Sequence, residues 1–389
     1  VTKTLRSYKT EINPTPDQAV KINRTIGVCR FVYNLYLRRN EELHEAQEPF
    51  MSAMSFSKWL NNEFIPNNPS YGWVKEVSSK AVKQSIFNAE RAYRDFFRDK
   101  KGFPRYKKRS DNTIKMYLPR NNAKDWATER HRIKIPTLGF VRLKEYGYIP
   151  PGARVTSGTV SRDAGRYFVS VLCEVNIAAA EHSYSKTGIG IDLGIKNLAV
   201  CSDGSSYGNI NKTKKVKSLT KRLKRQQRSL SRKLHARKKR KEKDKTSANI
   251  NKNTLRVQVY HRRLRSIRIE YVRLIVNSLV KANNLPSYVS IEDLNVSGMM
   301  KNRHLSKAIQ QQMFYYFRKY LEERCRKYGV ELRTIDRFYP SSKMCHECGA
   351  IKSDLKLSDR VYKCECGNII DRDYQASMNI RDCGSYKVA

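Results

Sequence analysis

Two sets of side chains in this sequence have the types and spacing for metal chemistry. The first is Cys345-His346-Glu347-Cys348-Gly349 with Cys364-Glu365-Cys366-Gly367, two cysteine pairs separated by 15 residues. A glycine follows each pair and permits the tight turn behind the second ligand of a metal knuckle. Four thiolates suit tetrahedral Zn²⁺ and leave no open position for catalysis, so a structural ion on Cys345, Cys348, Cys364 and Cys366 is expected. The second pair is Cys-x-Cys, one residue shorter than the common knuckle, and His346 reads as a surface residue. The second set is acidic. Asp192 ends the apolar run that starts at Gly188, and Glu292 ends Tyr288-Val289-Ser290-Ile291. Ile369-Ile370-Asp371-Arg372-Asp373 brings a third acid, Asp371 or Asp373, just ahead of a helix. One such acid alone is ordinarily a turn or cap residue. Three on separate elements of a very basic chain are what divalent ions facing a phosphate backbone require.

The charge balance narrows the partner. The chain has 389 residues, 78 Lys and Arg against 36 Asp and Glu, and a formal net charge of +42. Self-repulsion on that scale penalises a compact chain unless a polyanion offsets it, so nucleic acid is the expected partner. No run of about 20 apolar residues and no signal-peptide pattern is present, which points away from membranes and to a cytoplasmic, nucleoid-associated protein. Cys29, Cys173, Cys201, Cys325 and Cys383 are scattered and odd in number, as fits a reducing compartment. The length allows two or three domains of roughly 100 to 200 residues each.

The positioning elements follow from periodicity. Thr4 to Ile12 alternates as a strand and stops at Asn13-Pro14. Thr15-Pro16-Asp17-Gln18 then opens a helix, with Thr15 as N-cap and Gln18 three residues on. Ala19, Ile22, Ile26, Cys29, Val32, Tyr33 and Leu37 form its apolar face. Further helices are expected between Ser55 and Asp99, chiefly Lys80 to Arg98 with Val82, Ile86, Ala89, Tyr93 and Phe97 on one side. The basic and aromatic run Lys100 to Arg109 is either a solvated loop or a nucleic-acid surface, with Arg105, Tyr106, Lys107 and Lys108 as candidate contacts. Alternating runs such as Thr113 to Leu118 and Tyr167 to Cys173 predict a small antiparallel barrel completed by the N-terminal strand, with the helices inserted into it. A composition shift at Ala178 to Lys186 marks a boundary.

Residues 212–245 hold 18 Lys or Arg and only Glu242 and Asp244 as acids. Val216, Leu219, Leu223, Leu230 and Leu234 make a thin apolar stripe, so the segment reads as a helix lying along phosphates through Lys221, Arg222, Arg225, Arg228 and Arg232. His235 to Thr254 reads as a loop and the most disorder-prone stretch. A second helix from Leu255 would pair Leu264, Ile267, Tyr271 and Leu274 with the first. Leu305 to Tyr328 reads as one amphipathic helix ended by Gly329, followed by a strand from Val330 to Ile335. This order resembles the RNase H-like fold, a mixed sheet flanked by helices.

Further likeness is carried by Gly190-Ile191-Asp192-Leu193-Gly194, Ile291-Glu292-Asp293-Leu294, Pro340-Ser341-Ser342-Lys343-x-Cys345-x-x-Cys348-Gly349 and Asp371-Arg372-Asp373-Tyr374-Gln375-Ala376-Ser377-Met378-Asn379-Ile380. These resemble TnpB, the transposon-encoded, RNA-guided DNA endonucleases regarded as ancestral to type V CRISPR effectors. Cys29 to Asn34, Gly102 to Tyr106 and Ile135-Pro136-x-x-Gly139-x-Val141 are similar to the family's N-terminal half, so the likeness spans nearly the whole chain. It implies a multidomain α+β protein: a wedge-type β-barrel (1–13 and 113–182), an inserted helical recognition domain (14–112), and an RNase H-like RuvC nuclease domain (183–339 and 369–389). The nuclease domain would carry a basic helical hairpin (212–280) and an inserted zinc ribbon (340–368).

By motif position the resemblance makes Asp192, Glu292 and Asp373 the catalytic acids, with Asp371 the competing choice for the third. Gln375 stands where the family usually has Asn, and Ser377 where it has Ala. The implied chemistry is two-metal phosphodiester hydrolysis on Mg²⁺, with Asp192 bridging the ions and Glu292 and Asp373 each holding one. Guide RNA and target double-stranded DNA are the implied partners, base pairing reads the target next to a short adjacent motif, and a monomer from a prokaryotic host is expected. An unguided RuvC-like nuclease or resolvase shares the acids but not the barrel, helices and ribbon. A nuclease-dead, RNA-guided repressor would have lost one of the acids.

Overall fold

Pro14 cannot continue a ladder, and its position fixes the first boundary: β1 (Thr2–Asn13) ends there and α1 (Pro16–Glu45) begins. The computed structural model describes residues 2–98, 101–109, 115–177, 184–185, 187–239, 248–281, 284–356 and 359–388. The chain divides into two units, Val1–Ala179 and Ala180–Ala389.

In the first unit the expected capping box is present. The Gln18 backbone N–H donates to Thr15 Oγ1 at 3.3 Å, and the Gln18 side chain accepts from the Thr15 N–H at 3.0 Å. Early in α1, Ile22 and Cys29 join the core of the sheet, whereas Val28, Val32, Tyr36 and Leu37 join a helical core. That second core is shared with α2 (Ala53–Trp59), α3 (Ile65–Asn67) and α4 (Ser79–Phe97). On α4, Val82, Ile86, Ala89 and Tyr93 are buried as expected, but Phe97 is 64% exposed and meets only the edge of an aromatic cluster through Phe50, Tyr93 and Phe96. The helix has reached its last residue there, past the end of the core.

The remaining elements of this unit are β2 (Met116–Pro119), β3 (Ala127–Thr128), β4 (Arg132–Ile135), β5 (Gly139–Leu143), β6 (Arg154–Asp163) and β7 (Arg166–Ile177). They form one antiparallel seven-stranded sheet in the order β2-β6-β7-β1-β5-β4-β3. The N-terminal strand lies at its centre. No ladder joins the two end strands among the described residues, yet Met116 and Leu118 of β2 share one core with Ile133 and Ile135 of β4, so the sheet curls around a single interior. Residues 99–100, 110–114, 178–183 and 186 of the expected loop, barrel and boundary lie outside the described residues.

The second unit opens with the meander β8 (Ile189–Leu193), β9 (Asn197–Cys201) and β10 (Ser206–Gly208). The helices α5 (Lys214–Lys239) and α6 (Ala248–Leu279) follow, then β11 (Tyr288–Glu292) and α7 (Val296–Met299). Next come α8 (Ser306–Gln312), α9 (Phe314–Tyr328), β12 (Glu331–Ile335), β13 (Val361–Lys363) and β14 (Ile369–Asp371). The unit closes with α10 (Arg372–Asp382) and β15 (Tyr386–Val388). The main sheet runs β10-β9-β8-β11-β12-β15, with β8, β11 and β12 mutually parallel and the others antiparallel. Its near-continuous apolar strands, such as Leu198 to Cys201, are buried against Val272, Ile275, Val276 and Phe317.

Three expectations about this unit are corrected. Helix α5 reaches Lys239 and α6 starts at Ala248, so most of the segment read as a loop is helical; residues 240–247 lie outside the description. Lys and Arg are good helix formers, and a charged helix without an apolar face looks like a loop in sequence. The hairpin seam consists of Val216, Leu219, Leu223, Val257, Tyr260, Leu264 and Ile267. Leu234 and Leu274 are 46% and 62% exposed, and Tyr271 packs on the sheet core instead. The helix expected from Leu305 to Tyr328 is two helices broken at Met313, whose φ of 61° is left-handed. Among the described residues no helix is long and apolar enough to cross a membrane.

Candidate functional site

Register brings two acids together. In the parallel pair β8 and β11, Ile191 lies opposite Ile291, so Asp192 and Glu292 follow side by side at the same edge. Helix α10 supplies the third acid, and its approach depends on Gly190. A Cβ there would fall 2.0 Å from the Ser377 carbonyl oxygen and 2.5 Å from the Arg381 nitrogen. Only glycine on the strand, with small Ala376 and Ser377 on the helix, lets the two backbones meet this closely.

Asp371 and Asp373 have different tasks. Asp371 Oδ1 accepts the N–H groups of Asp373 and Tyr374, both at 3.0 Å, and so caps α10. Asp373, in the first helical turn, has its carboxylate 3.2 Å from Arg372 and 3.8 Å from Arg360. Asp192 is half-buried, and burial, then the charge of Glu292, then that of Asp373, push its carboxyl up to about 8. Arg372 only partly opposes this. Burial also raises Glu292, and a hydrogen bond donated by Ser341 Oγ at 2.5 Å works against that shift. The Ser341 carbonyl in turn accepts from Asn379 Nδ2 of α10 at 2.7 Å. Three carboxylates offer only hard oxygen donors, and their mutual repulsion is what a divalent cation relieves, so the residues present fit such an ion.

Two positioning groups were not read as such from the sequence. Gln312 is 2% exposed, and its Nε2 donates to the carbonyls of Gly194 and Ile195, each at 3.0 Å, pinning the turn that follows Asp192. The break at Met313 ends α8 directly after this residue. A polar side chain at the apolar spacing of the 305–328 segment was the available signal. Asp293, directly after Glu292, accepts from Arg318 at 2.6 Å and from Arg337 at 2.7 Å, and these contacts hold its carboxyl below the usual range.

The four cysteines converge as expected. Their Sγ atoms all lie within 4.8 Å of one another, with Cys345 to Cys366 at 3.7 Å and Cys348 to Cys364 at 3.6 Å, and no disulfide joins them. Tetrahedral thiolates at about 2.3 Å from an ion stand about 3.8 Å apart, so the group fits a thiolate-bound metal. Gly349 and Gly367 take φ of 74° and 92°, closing the knuckles through Gly349 N–H to the Cys345 carbonyl and Gly367 N–H to the Cys364 carbonyl. His346 is no ligand of this group; its Nδ1 lies 3.3 Å from Asn379 Oδ1.

The basic candidates divide. Lys221, Arg225, Arg228 and Arg232 line one open groove of about 770 Å³ on α5, with Arg222 outside its lining. Arg105, Tyr106 and Lys108 are exposed, but the Tyr106 hydroxyl is engaged by Glu41. The Lys107 backbone is fastened to the Asn34 side chain by two hydrogen bonds of 2.8 and 3.0 Å.

Known proteins resemble this chain. Residues 314–380 match the family described as "Cas12f1-like, TNB domain", residues 4–49 a "Helix-turn-helix domain" and residues 170–303 the OrfB_IS605 "Probable transposase". A Streptomyces pristinaespiralis protein named "Putative RNA-guided DNA endonuclease" is 32% identical over 97% of this chain and 89% of its own length. InsQ of Escherichia coli K12, under the same description, is 29% identical over 98% of this chain and 93% of its own. The fold matches that of the protein in a cryo-EM structure of a Cas12f1–sgRNA–target DNA complex, with TM-score 0.58, 12% identity, and coverage of 99% of this chain and 100% of that one. With the mixed sheet, the convergent acids and the four-cysteine group described above, these likenesses along almost the entire chain place it in the TnpB family.

Proposed function

We propose that this protein is a transposon-associated, RNA-guided endonuclease that cuts DNA next to a short target-adjacent motif. The observation that carries the reading is the convergence of Asp192, Glu292 and Asp373 at one sheet edge, with Asp192 raised to about 8 by burial and by the other two acids. Mg²⁺ held by these carboxylates would supply the Lewis acidity that activates water and stabilises the leaving 3′ oxygen. Asp192 takes the central position because both other acids act on it. Ser341 orients Glu292, and Asp371 is occupied as the cap of α10, which favours Asp373 as the third ligand. Cys345, Cys348, Cys364 and Cys366 would hold Zn²⁺ and stabilise the ribbon (340–368) without touching substrate.

The curved sheet corresponds to the wedge-type barrel, α1 to α4 to the recognition insertion, and the second unit to the RuvC domain with its basic hairpin. Guide RNA and the heteroduplex would be held by shape and phosphates, with Lys221, Arg225, Arg228 and Arg232 among the contacts, and base pairing would read the target. The test is to express the chain with its native flanking DNA in a prokaryotic host, purify it and sequence the RNA it retains. A discrete structured RNA ending in a segment that varies with the flank is expected. Heterogeneous RNA that salt removes would contradict guidance and leave an unguided nuclease.

A further inference from the structure

A cavity of about 550 Å³ opens beside Glu292, within the usual size of small-ligand sites, roughly 300 to 1,000 Å³. Its lining includes Asp293, Tyr315, Arg318, Lys319 and Arg337, a composition that the acid site does not explain. Asp293 joins two arginines from different segments, Arg318 of α9 and Arg337 after β12, one to each carboxylate oxygen. The three side chains are 34 to 42% exposed, where ion pairs contribute little to stability. The bridge does something else: it fixes two guanidinium planes beside the acids. Each arginine bonds Asp293 through one nitrogen and retains further N–H donors. Arginine forks match phosphate oxygens, and a phosphodiester approaching three carboxylates needs fixed positive charge.

The cavity also has an aromatic wall. Tyr315 is 69% exposed and makes no ring contact among the described residues. Of the other two acids of the lining, Glu292 belongs to the acid site and Glu322 is bound to Arg326 at 2.6 Å. Exposed aromatic rings next to cations are the elements that bind single-stranded nucleic acid.

We propose that this cavity is the subsite for the DNA nucleotide adjoining the scissile phosphate. Arg318 and Arg337, positioned by Asp293, take its phosphate, and Tyr315 stacks on its base. The occupant is therefore a strand unwound from its duplex, since a stacked and paired base could not reach the ring. The inference rests on the endonuclease reading and names the side chains that hold the strand beside the cut.

The test uses the full chain loaded with its guide RNA, cutting matching double-stranded DNA in single-turnover assays at saturating Mg²⁺. The double variant Arg318→Gln, Arg337→Gln should cut about 10²-fold more slowly, with a salt dependence shallower by about 0.7 per lost phosphate contact. Tyr315→Ala should raise the concentration of a single-stranded oligonucleotide needed for half-saturation about 10-fold, and 2-aminopurine next to the cut should lose its quenching. Asp293→Asn should fall between the double variant and wild type, and Arg337→Lys should recover part of the loss. Guide RNA content and melting temperature should match wild type in all of them. Wild-type rate and salt slope in the double variant, or loss of guide RNA or of melting temperature with the activity, overturn the subsite. A wild-type complex that cuts no DNA overturns the endonuclease reading and the subsite with it, whereas a cutting wild type with unaffected variants overturns the subsite alone.

Discussion

The two candidate metal sites of the second unit are built in opposite ways. The four thiolates come from residues 345–366, on two knuckles closed by their own backbone hydrogen bonds. Asn368 Nδ2 donates to Cys345 Sγ at 3.5 Å, and the Tyr362 hydroxyl, on a residue 1% exposed, bonds the carbonyls of Lys343 and Ala350. The acids come from positions 192, 292 and 373, and only the strand register and the packing of α10 bring them together. Two positive side chains lie at Asp373, and Asp192 is left poorly compensated. A closed, four-coordinate group holds a fold; an open cluster of repelling carboxylates is poised for ions that also meet substrate. On the function proposed above, one site serves structure and the other chemistry.

Breaking the packing should damage the acid site alone. Gly190→Ala places a Cβ against the backbone of α10, which must retreat and take Asp373 with it. Misplacement on the scale of 1 Å costs about 10²-fold in rate, so single-turnover cutting should fall by that factor while the guide RNA is retained. Unchanged cutting would mean that the position of α10 does not set the site.

Removing the ribbon metal should do the reverse. Cys348→Ser, or a strong Zn²⁺ chelator followed by excess Mg²⁺, should lower the melting temperature and open residues 340–368 to proteolysis, because a structural thiolate site contributes folding energy directly. A melting curve indifferent to both would remove the structural role.

The smallest effect sharpens the electrostatic side. A carboxyl raised from 3.8 to about 8 binds more protons folded than unfolded, so its contribution to stability falls as pH rises between those values. Asp192→Asn should therefore melt higher than wild type in metal-free buffer at pH 8. The gain should vanish near pH 4, and Mg²⁺ should stabilise wild type more than the variant. A gain that does not depend on pH would sink the account of Asp192 as a strained acid.

How legible these features were depended on their range. Asp192 and Glu292 each end an apolar strand, and the cysteine spacing is local, so sequence pattern alone located both. Asp371 and Asp373 could not be separated from the chain alone, because capping is a matter of backbone geometry that two neighbouring acids satisfy equally well on paper. The structure gives the cap to Asp371 through two backbone N–H groups. The break at Met313 is hard to read because Phe314, Phe317 and Leu321 keep helical spacing after it; only the step of five residues from Ile309 to Phe314 departs from that spacing. Its partner in function, Gln312, acts across 118 residues on the Gly194 carbonyl, a distance over which periodicity carries no information. The seam of α5 ended early for a related reason: Leu234 continues the stripe in sequence but is 46% exposed and lies outside the seam cluster.

The most direct measurement compares wild type with Asp192→Asn, each loaded with the RNA it retains, on double-stranded DNA matching that RNA in Mg²⁺. The account predicts cutting by wild type that EDTA stops, and at least about 10³-fold less cutting by the variant with the same RNA bound, as expected where metal ligation supplies several kcal/mol of transition-state stabilisation. Equal cutting by the two proteins would show that the convergent acids are not the catalytic centre.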